Sequence, residues 1–471
     1  MTKHLNTPFF DKISSYCKDN IYSFHALPLA FGHIFPKLAL EEKFRQMYCQ
    51  DFLKYENTLG SEWVDNPIFP DKCLAKSETQ VAEIFDVDRS LFITSGTSNS
   101  NQIVIDALIE EGDRVLIAKD AHKSIHFSLE SKNSNVKCVI PQFIDNQSGR
   151  QYINFEKMLE DFKREHESGK IYKAVVINGS SYEGVIYNLP VIAKCLAEIN
   201  PKLTIIVDEA WMAFAKFHST FSEQSILSIA HSLKLKYPEL TIVCTQSLHK
   251  SLPSMRQASI IHIVGNDEAI NKINIFKFKI HTTSPSYSIL SSIELSLSEM
   301  SINGEKLISE ALENALDMEY FIGKLKTLSI NYERQQSYWM IDPLKLSVNF
   351  SFTGKNVSEV KKILKKNKVF VNRFTQESFL LNFHIGVTNE AIKKLKLALL
   401  ELENNTPTIE VENISDEYVI PYPPGTPILV PGDKISKSLE QEILRLENSG
   451  IRVIHVKEAK FLHDIEQTKS I

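Results

Sequence analysis

Two stretches decide the fold: KLTIIVDEAW, residues 202–211, and LTIVCTQSLHKSLPSMRQASIIHIVG, residues 240–265. Each opens with a run of Ile, Val and Thr and then delivers polar side chains at its end, Asp208 in the first and Ser247, His249 and Lys250 in the second. The runs do not alternate apolar with polar residues, so they fit strands buried on both faces. Working outward, runs of the same kind recur at SLFITSG (90–96), DRVLIAK (113–119), VKCVIPQ (136–142), KAVVING (173–179) and ASIIHIVG (258–265). Helical spacing lies between them, in NQIVIDALIEEG (101–112), INFEKMLEDFKREHES (153–168) and LPVIAKCLAEIN (189–200). Buried strands alternating with helices predict an α/β fold with a large, mostly parallel sheet covered on both faces.

Residues 1–60 read as an N-terminal arm, with a helix near FFDKISSYCK and a helical stretch over LALEEKFRQMYCQDFLKY. Residues 61–300 read as the large domain, 301–404 as connecting helices and a smaller C-terminal α/β domain, and 405–471 as a C-terminal segment. The small domain is expected from strands at KLSVNFSF (345–352), VFVNRF (369–374) and SFLLNFHIG (378–386), with helices over 357–367 and 390–403. Residues 405–416 read as a linker and YVIPYPPGTPILVPGDKIS (418–436) as a proline-rich loop.

The 471-residue chain is 43% hydrophobic, ample for a large core, and its net charge of −5 offers no basic surface for nucleic acid. The run KKILKKNK (361–368) reads as one solvated helix face. No apolar run approaches the ~20 residues that a membrane helix needs, and the start, MTKHLNTPFFDK, has no signal-peptide core. Cys17, Cys49, Cys73, Cys138, Cys195 and Cys244 form no CxxC pair, and read as reduced residues of a cytoplasmic protein, not as a disulfide framework or a metal site.

Ligands of parallel α/β sheets sit at the carboxyl ends of the strands. The first strand ends in Ser95, Gly96, Thr97 and Ser98 at a helix start, where N–H groups and the helix dipole suit a phosphate; ordinary capping is the competing reading. His122 lies just past the second strand, where a structural histidine is the commoner case. Asp208 ends a buried strand, which is costly unless a cation faces it; a pyridinium nitrogen would serve, and so would a salt bridge. Lys250 stands at the mouth of the sheet, placed to form a Schiff base, with a surface lysine as the alternative. Singly these features are ordinary. Their order along one sheet is that of a pyridoxal 5'-phosphate (PLP) site: anion cradle, ring-stacking histidine, carboxylate for the ring nitrogen, lysine.

The sequence resembles the ornithine/lysine/arginine decarboxylase family through FITSGTSNSN (92–101), AHKSIH (121–126), INGSSYEGVIYNL (177–189), VDEAWMAF (207–214), SLHKSLPSMRQASIIH (247–262), TTSPSYSILSSIEL (282–295) and YPPGTPILVPGDKIS (422–436). The resemblance implies a fold-type-I PLP-dependent enzyme that decarboxylates lysine, ornithine or arginine through a Lys250 Schiff base and a quinonoid intermediate. It implies that Asp208 pairs with the ring nitrogen and that His122 stacks on the ring. Ser95, Gly96, Thr97, Ser98, Ser247 and His249 would surround the phosphate, and Trp211 would sit near the cofactor. Thr283 and Ser284 match a segment that reaches the neighbouring subunit's cofactor, which implies a homodimer with the site at its interface.

The chain also departs from the family. Phe24-His25 is followed by ALPLAFGH and not by the usual Pro-Gly-His-Lys, the acidic stretch that should follow is not recognisable, and Asn372 stands where a glutamate is usual. The N-terminal wing of the large members is not expected, since the strand and cofactor motifs begin by residue 75. These departures fall on the substrate side and keep a different PLP reaction open, such as transamination or oxidation of a basic amino acid. A non-catalytic partner subunit is a third reading, opposed by the Asp208/Lys250 pair. Glu183 and Glu209 are candidates for a distal ammonium, and Arg256 and Arg373 for a substrate carboxylate, each against a commoner structural role.

Overall fold

A computed structural model describes residues 5–19, 21–22, 27–57, 59–144, 147–330, 337–404, 415–422, 425–433, 435, 437–448, 451–457 and 460–461. Phe24 and His25, and residues 405–414 of the expected linker, lie outside the described residues. The chain divides into two compact units, Met1–Glu403 and Asn404–Ile471.

Seven strands form the main sheet of the first unit: β1 (Arg89–Ile93), β2 (Arg114–Ala118), β3 (Asn135–Val139), β4 (Ala174–Asn178), β5 (Thr204–Asp208), β6 (Thr241–Ser247) and β7 (Ser259–Val264). Their order is β1-β7-β6-β5-β4-β2-β3. Strands β6 to β3 run parallel, and β7 alone is antiparallel to both its neighbours. The expected α/β fold with a large, mostly parallel sheet is therefore what forms. Side chains alternate between faces along a strand, so a run that is apolar at every position needs cover on both sides. Val175, Ile177, Ile205 and Val207 pack into one core layer, and Ala174, Val176 and Ile206 into the other.

Helices supply that cover: α1 (Cys73–Phe85), α2 (Thr97–Leu108), α3 (Lys123–Ser131), α4 (Phe155–Glu167), α5 (Leu189–Ile199), α6 (Asp267–Ile280) and α7 (Tyr287–Ile322). At 36 residues α7 is about 54 Å long and leads to the smaller sheet. That sheet has three strands, β8 (Ser329–Ile330), β9 (Lys345–Asn349) and β10 (Ser378–Asn382), in antiparallel sequence order. Its helices are α8 (Val357–Lys366), started by a capping box between Asn356 and Glu359, and α9 (Asn389–Asn404).

Three local expectations differ. The stretch 38–55 is two short helices, Glu41–Met47 and Gln50–Tyr55, separated by extended backbone at Tyr48 and Cys49. The first of these buries none of its residues, so no packing rewards continuing it. VFVNRF forms no strand beyond a single bridge from Phe374 to Phe379, and Phe370 is 88% exposed with no sheet to join. In the second unit the proline-rich stretch begins as an edge strand, Tyr418–Tyr422, paired with Arg452–Lys457. Pro421 is tolerated there because its nitrogen, like that of Val419, lies on the side away from Arg452–Lys457, where the strand is joined only by the bridge from Val419 to Leu429 among the described residues.

Gly304, on α7, lets the helix pass close to Phe217: an added Cβ would lie 2.7 Å from the Phe217 Cβ. Alanine ordinarily stabilises a helix interior over glycine by about 1 kcal/mol, but overpacking costs about 1–3 kcal/mol. Gly304→Ala is therefore expected to lower the thermal midpoint, and an unchanged or raised midpoint would show that the contact relaxes freely.

Candidate active site

A cavity of about 1070 Å³ opens at the carboxyl ends of β1, β2, β4, β5 and β6. Its lining includes Gly96, Thr97, Ser98, His122, Asp208, Trp211, Ser247, His249 and Lys250. Nine of the twelve residues singled out from the sequence thus meet in one place. Ser95 follows β1 but does not line the cavity, and Thr283 and Ser284 are exposed between α6 and α7, outside it.

The β1 corner is an anion cradle in its donors. Gly96 has φ 79°, a left-handed conformation that favours glycine, and its N–H donates to the Gln257 carbonyl at 2.9 Å. The N–H groups of Asn99 and Ser100 turn back to the Gly96 carbonyl at 3.0 and 3.1 Å. Those of Thr97 and Ser98, in the first turn of α2, have no intrahelical acceptor. The Thr97 hydroxyl is already engaged by Ser247 and Ser259, at 2.5 and 2.8 Å, and pins α2 to β6 and β7.

Asp208 ends β5 at 7% exposure. One carboxylate oxygen accepts from Asn101 Nδ2 and the other from the Ala210 N–H, both at 2.9 Å. The Asn101 carbonyl oxygen accepts from Thr245 Oγ1 at 2.7 Å, which sets the amide with its NH2 toward Asp208. Among the described residues Asp208 makes no ion pair within 4.0 Å, and Lys250 is the lysine whose charge interacts with it at longer range.

Lys250 sits in the single helical turn Leu248–Ser251 directly after β6. Its Nζ lies 4.4 Å from the centre of the Trp211 ring. Burial pushes its pKa down while Asp208 pulls it up. Beside it, His249 Nδ1 bonds the Ala258 carbonyl at 3.0 Å, and burial lowers its pKa as well. His122 caps α3, with Nδ1 accepting from the Ser124 N–H at 3.2 Å. Burial lowers the His122 pKa, opposed by Asp208 and aided by Lys250 and Lys123, which favours the neutral ring.

The structure adds residues that sequence reading passed over. Asn101 lies four residues beyond Thr97 on the same helix face, and Asn178 ends β4 as Asp208 ends β5; both positions were open to the rules used for their neighbours. Asp120 and Tyr182 also line the cavity. Burial pushes the Asp120 carboxyl up, with Glu183 adding to it. Glu209 is corrected: it is fully buried away from the cavity and binds the Ser225 hydroxyl, the Ile226 N–H and the Gln246 amide. Glu183 does line the cavity and pairs with Arg373 at 3.0 Å, while Arg256 lines it as an exposed residue.

This sheet order, with a lysine and an aspartate at its carboxyl edge, defines the class: the chain has the architecture of fold-type-I PLP-dependent enzymes. The chain belongs to the Orn/Lys/Arg decarboxylase family, whose major domain matches residues 7–391. It is similar to the lysine decarboxylase LdcA of Pseudomonas aeruginosa, 23% identical over 86% of this chain and 61% of that protein. It is also similar to an arginine decarboxylase of Bacillus subtilis, 22% identical over 96% of both chains. The crystal structure of the Francisella novicida lysine decarboxylase LdcF superposes with a TM-score of 0.74, at 20% identity, over 97% of this chain and 80% of that one. The chain spans about three fifths of the length of LdcA. Among the described residues no helix is long and apolar enough to cross a membrane.

Asn101→Ala removes the donor to a buried carboxylate oxygen. An unsatisfied buried acceptor costs about 1–3 kcal/mol, so thermal denaturation of the cofactor-free protein should show a lower midpoint. An unchanged midpoint would mean that the Asp208 carboxylate finds other solvation.

Proposed function

We propose that the cavity binds PLP and that the protein decarboxylates a basic amino acid. One observation carries the reading: a buried carboxylate, Asp208, and a desolvated lysine, Lys250, share one cavity in a chain of this family. The donors fit the cofactor. The free N–H groups of Thr97 and Ser98, with the side chains of Ser98, Ser247 and His249, suit its phosphate. Lys250 would supply the amine for its aldehyde, Asp208 the anion for its ring nitrogen, and His122 a flat ring for its face. When bound, the cofactor supplies an electron-withdrawing ring that accepts the electron pair released as CO2 leaves the substrate's α-carbon.

The chain's own residues set the conditions. The Asn101 and Ala210 donors fix the orientation of the Asp208 carboxylate, which would face the ring nitrogen of the bound cofactor. Burial keeps part of Lys250 as free amine at lower pH than an ordinary lysine, and the free amine is the nucleophile. Its Nζ can also hold the proton that replaces the lost carboxylate. Glu183 is already paired with Arg373, so Asp120 is the carboxylate on the cavity wall that would meet a distal ammonium or guanidinium of the substrate. Lysine, ornithine and arginine all satisfy that chemistry. The exposed Thr283 and Ser284 are consistent with a homodimer in which each copy completes the other's site.

CO2 release from lysine, ornithine and arginine by the PLP-loaded protein tests the proposal. Release from at least one is expected, falling to background in Lys250→Ala and by a factor of about 100 or more in Asp208→Asn. Bound PLP without CO2 from any of the three, and with conversion to pyridoxamine phosphate, would replace decarboxylation by transamination. Because the depressed Lys250 favours its free amine, PLP capture by the cofactor-free protein should persist below the pH at which free lysine loses reactivity. Its rate should fall as pH drops through the Lys250 pKa.

A further inference from the structure

We propose that Ser124, itself held by Asn101, is a positioning residue for His122: it keeps Nδ1 of the ring as a hydrogen-bond acceptor, so that the ring carries its proton on Nε2 and resists a second one at Nδ1. The inference rests on His122 facing the cofactor ring.

The direction of each hydrogen bond follows from groups that can play only one part. Asp208, as a carboxylate, only accepts, so the Asn101 NH2 points to it at 2.9 Å, and the Asn101 carbonyl oxygen is left to accept from Thr245 Oγ1 at 2.7 Å. The same NH2 also donates to Ser124 Oγ at 3.3 Å. With its oxygen receiving that bond, the Ser124 hydroxyl has its own hydrogen to give, and His122 Nδ1 lies 2.8 Å away. The Ser124 backbone N–H can only donate, and it meets the same Nδ1 at 3.2 Å. A ring nitrogen that receives donors carries no hydrogen, which leaves Nε2 as the N–H of the neutral ring. One amide, that of Asn101, thus serves both Asp208 and His122.

The charges around the ring do not give this result on their own. Asp208 draws a second proton onto His122, while burial, Lys250 and Lys123 oppose it. A proton on Nδ1 would set a new N–H against both donors of Ser124, so the geometry adds to the opposition. The consequence is for stacking. A cofactor ring protonated at its nitrogen is cationic; a neutral imidazole can lie against it, whereas an imidazolium repels it.

The test is hydrogen–deuterium exchange at the Hε1 position of His122 across pH, in the full chain freed of cofactor, read by peptide mass spectrometry. The exchange rate follows the protonation of each ring, and the chain's other histidines serve as references in the same sample. It needs no cofactor, so a failed decarboxylase assay and a failed inference are separable. Ser124→Ala removes the hydroxyl donor and should raise the His122 midpoint by about half a pH unit or more. Ser124→Thr keeps the hydroxyl and should leave the midpoint near wild type. Asn101→Ala should raise it as well, and by less when Ser124 is already replaced by alanine. Equal midpoints in wild type and Ser124→Ala would overturn the proposal, as would a wild-type midpoint above the ordinary histidine value of about 6.5. Fully additive shifts in the double variant would overturn the part assigned to Asn101.

Discussion

The parallel register of β5 against β6 is the constraint on which the rest depends. Asp208 pairs with Thr245, so the carboxylate that ends one strand lies beside the strand whose next turn carries Lys250. Neither group is comfortable there alone. A buried carboxylate asks for a cation, and a desolvated amine without acceptors asks to become neutral or to react. The sheet holds both in place because its apolar strands are packed on two faces, so neither end can retreat into solvent without disturbing a core layer.

The single antiparallel strand has a role that its position explains. By running back between β6 and β1, β7 brings Gln257 and Ser259 to the carboxyl end of β1. Gln257 there accepts from the Gly96 N–H, and Ser259 meets Thr97 and Ser100 at 2.8 and 2.9 Å. The turn at the start of α2 is thus held from the side that a parallel strand would leave open. This fixes the free N–H groups of Thr97 and Ser98 relative to Lys250, as recognition of a ligand with two anchored ends demands.

Much of this was readable in the chain. Runs such as LTIIVD and LTIVCTQ are apolar at every position, and that pattern has few structural solutions besides a covered sheet. The strand-end rule then located Asp208, Lys250, His122 and the Gly96 turn. What stayed hidden depends on contacts between segments distant in sequence. Nothing local distinguishes Asn101 from other polar residues of α2 until Thr245 and Asp208 are seen to share its amide. Glu209 adjoins Asp208 in sequence yet faces the opposite way, because neighbouring residues at a strand end point to opposite faces. Lys345 left one clue, a charge inside the apolar stretch PLKLSVNF, whose partners, the Ser181 and Tyr182 carbonyls, are distant in sequence.

The most direct test of the site is chemical. Protein loaded with PLP is reduced with borohydride, digested, and the modified lysine is mapped by mass spectrometry. Modification at Lys250 is the expected result. Stable modification at another lysine, or none in protein shown to be folded, would contradict the assignment of the cavity between β5 and β6 as the cofactor site.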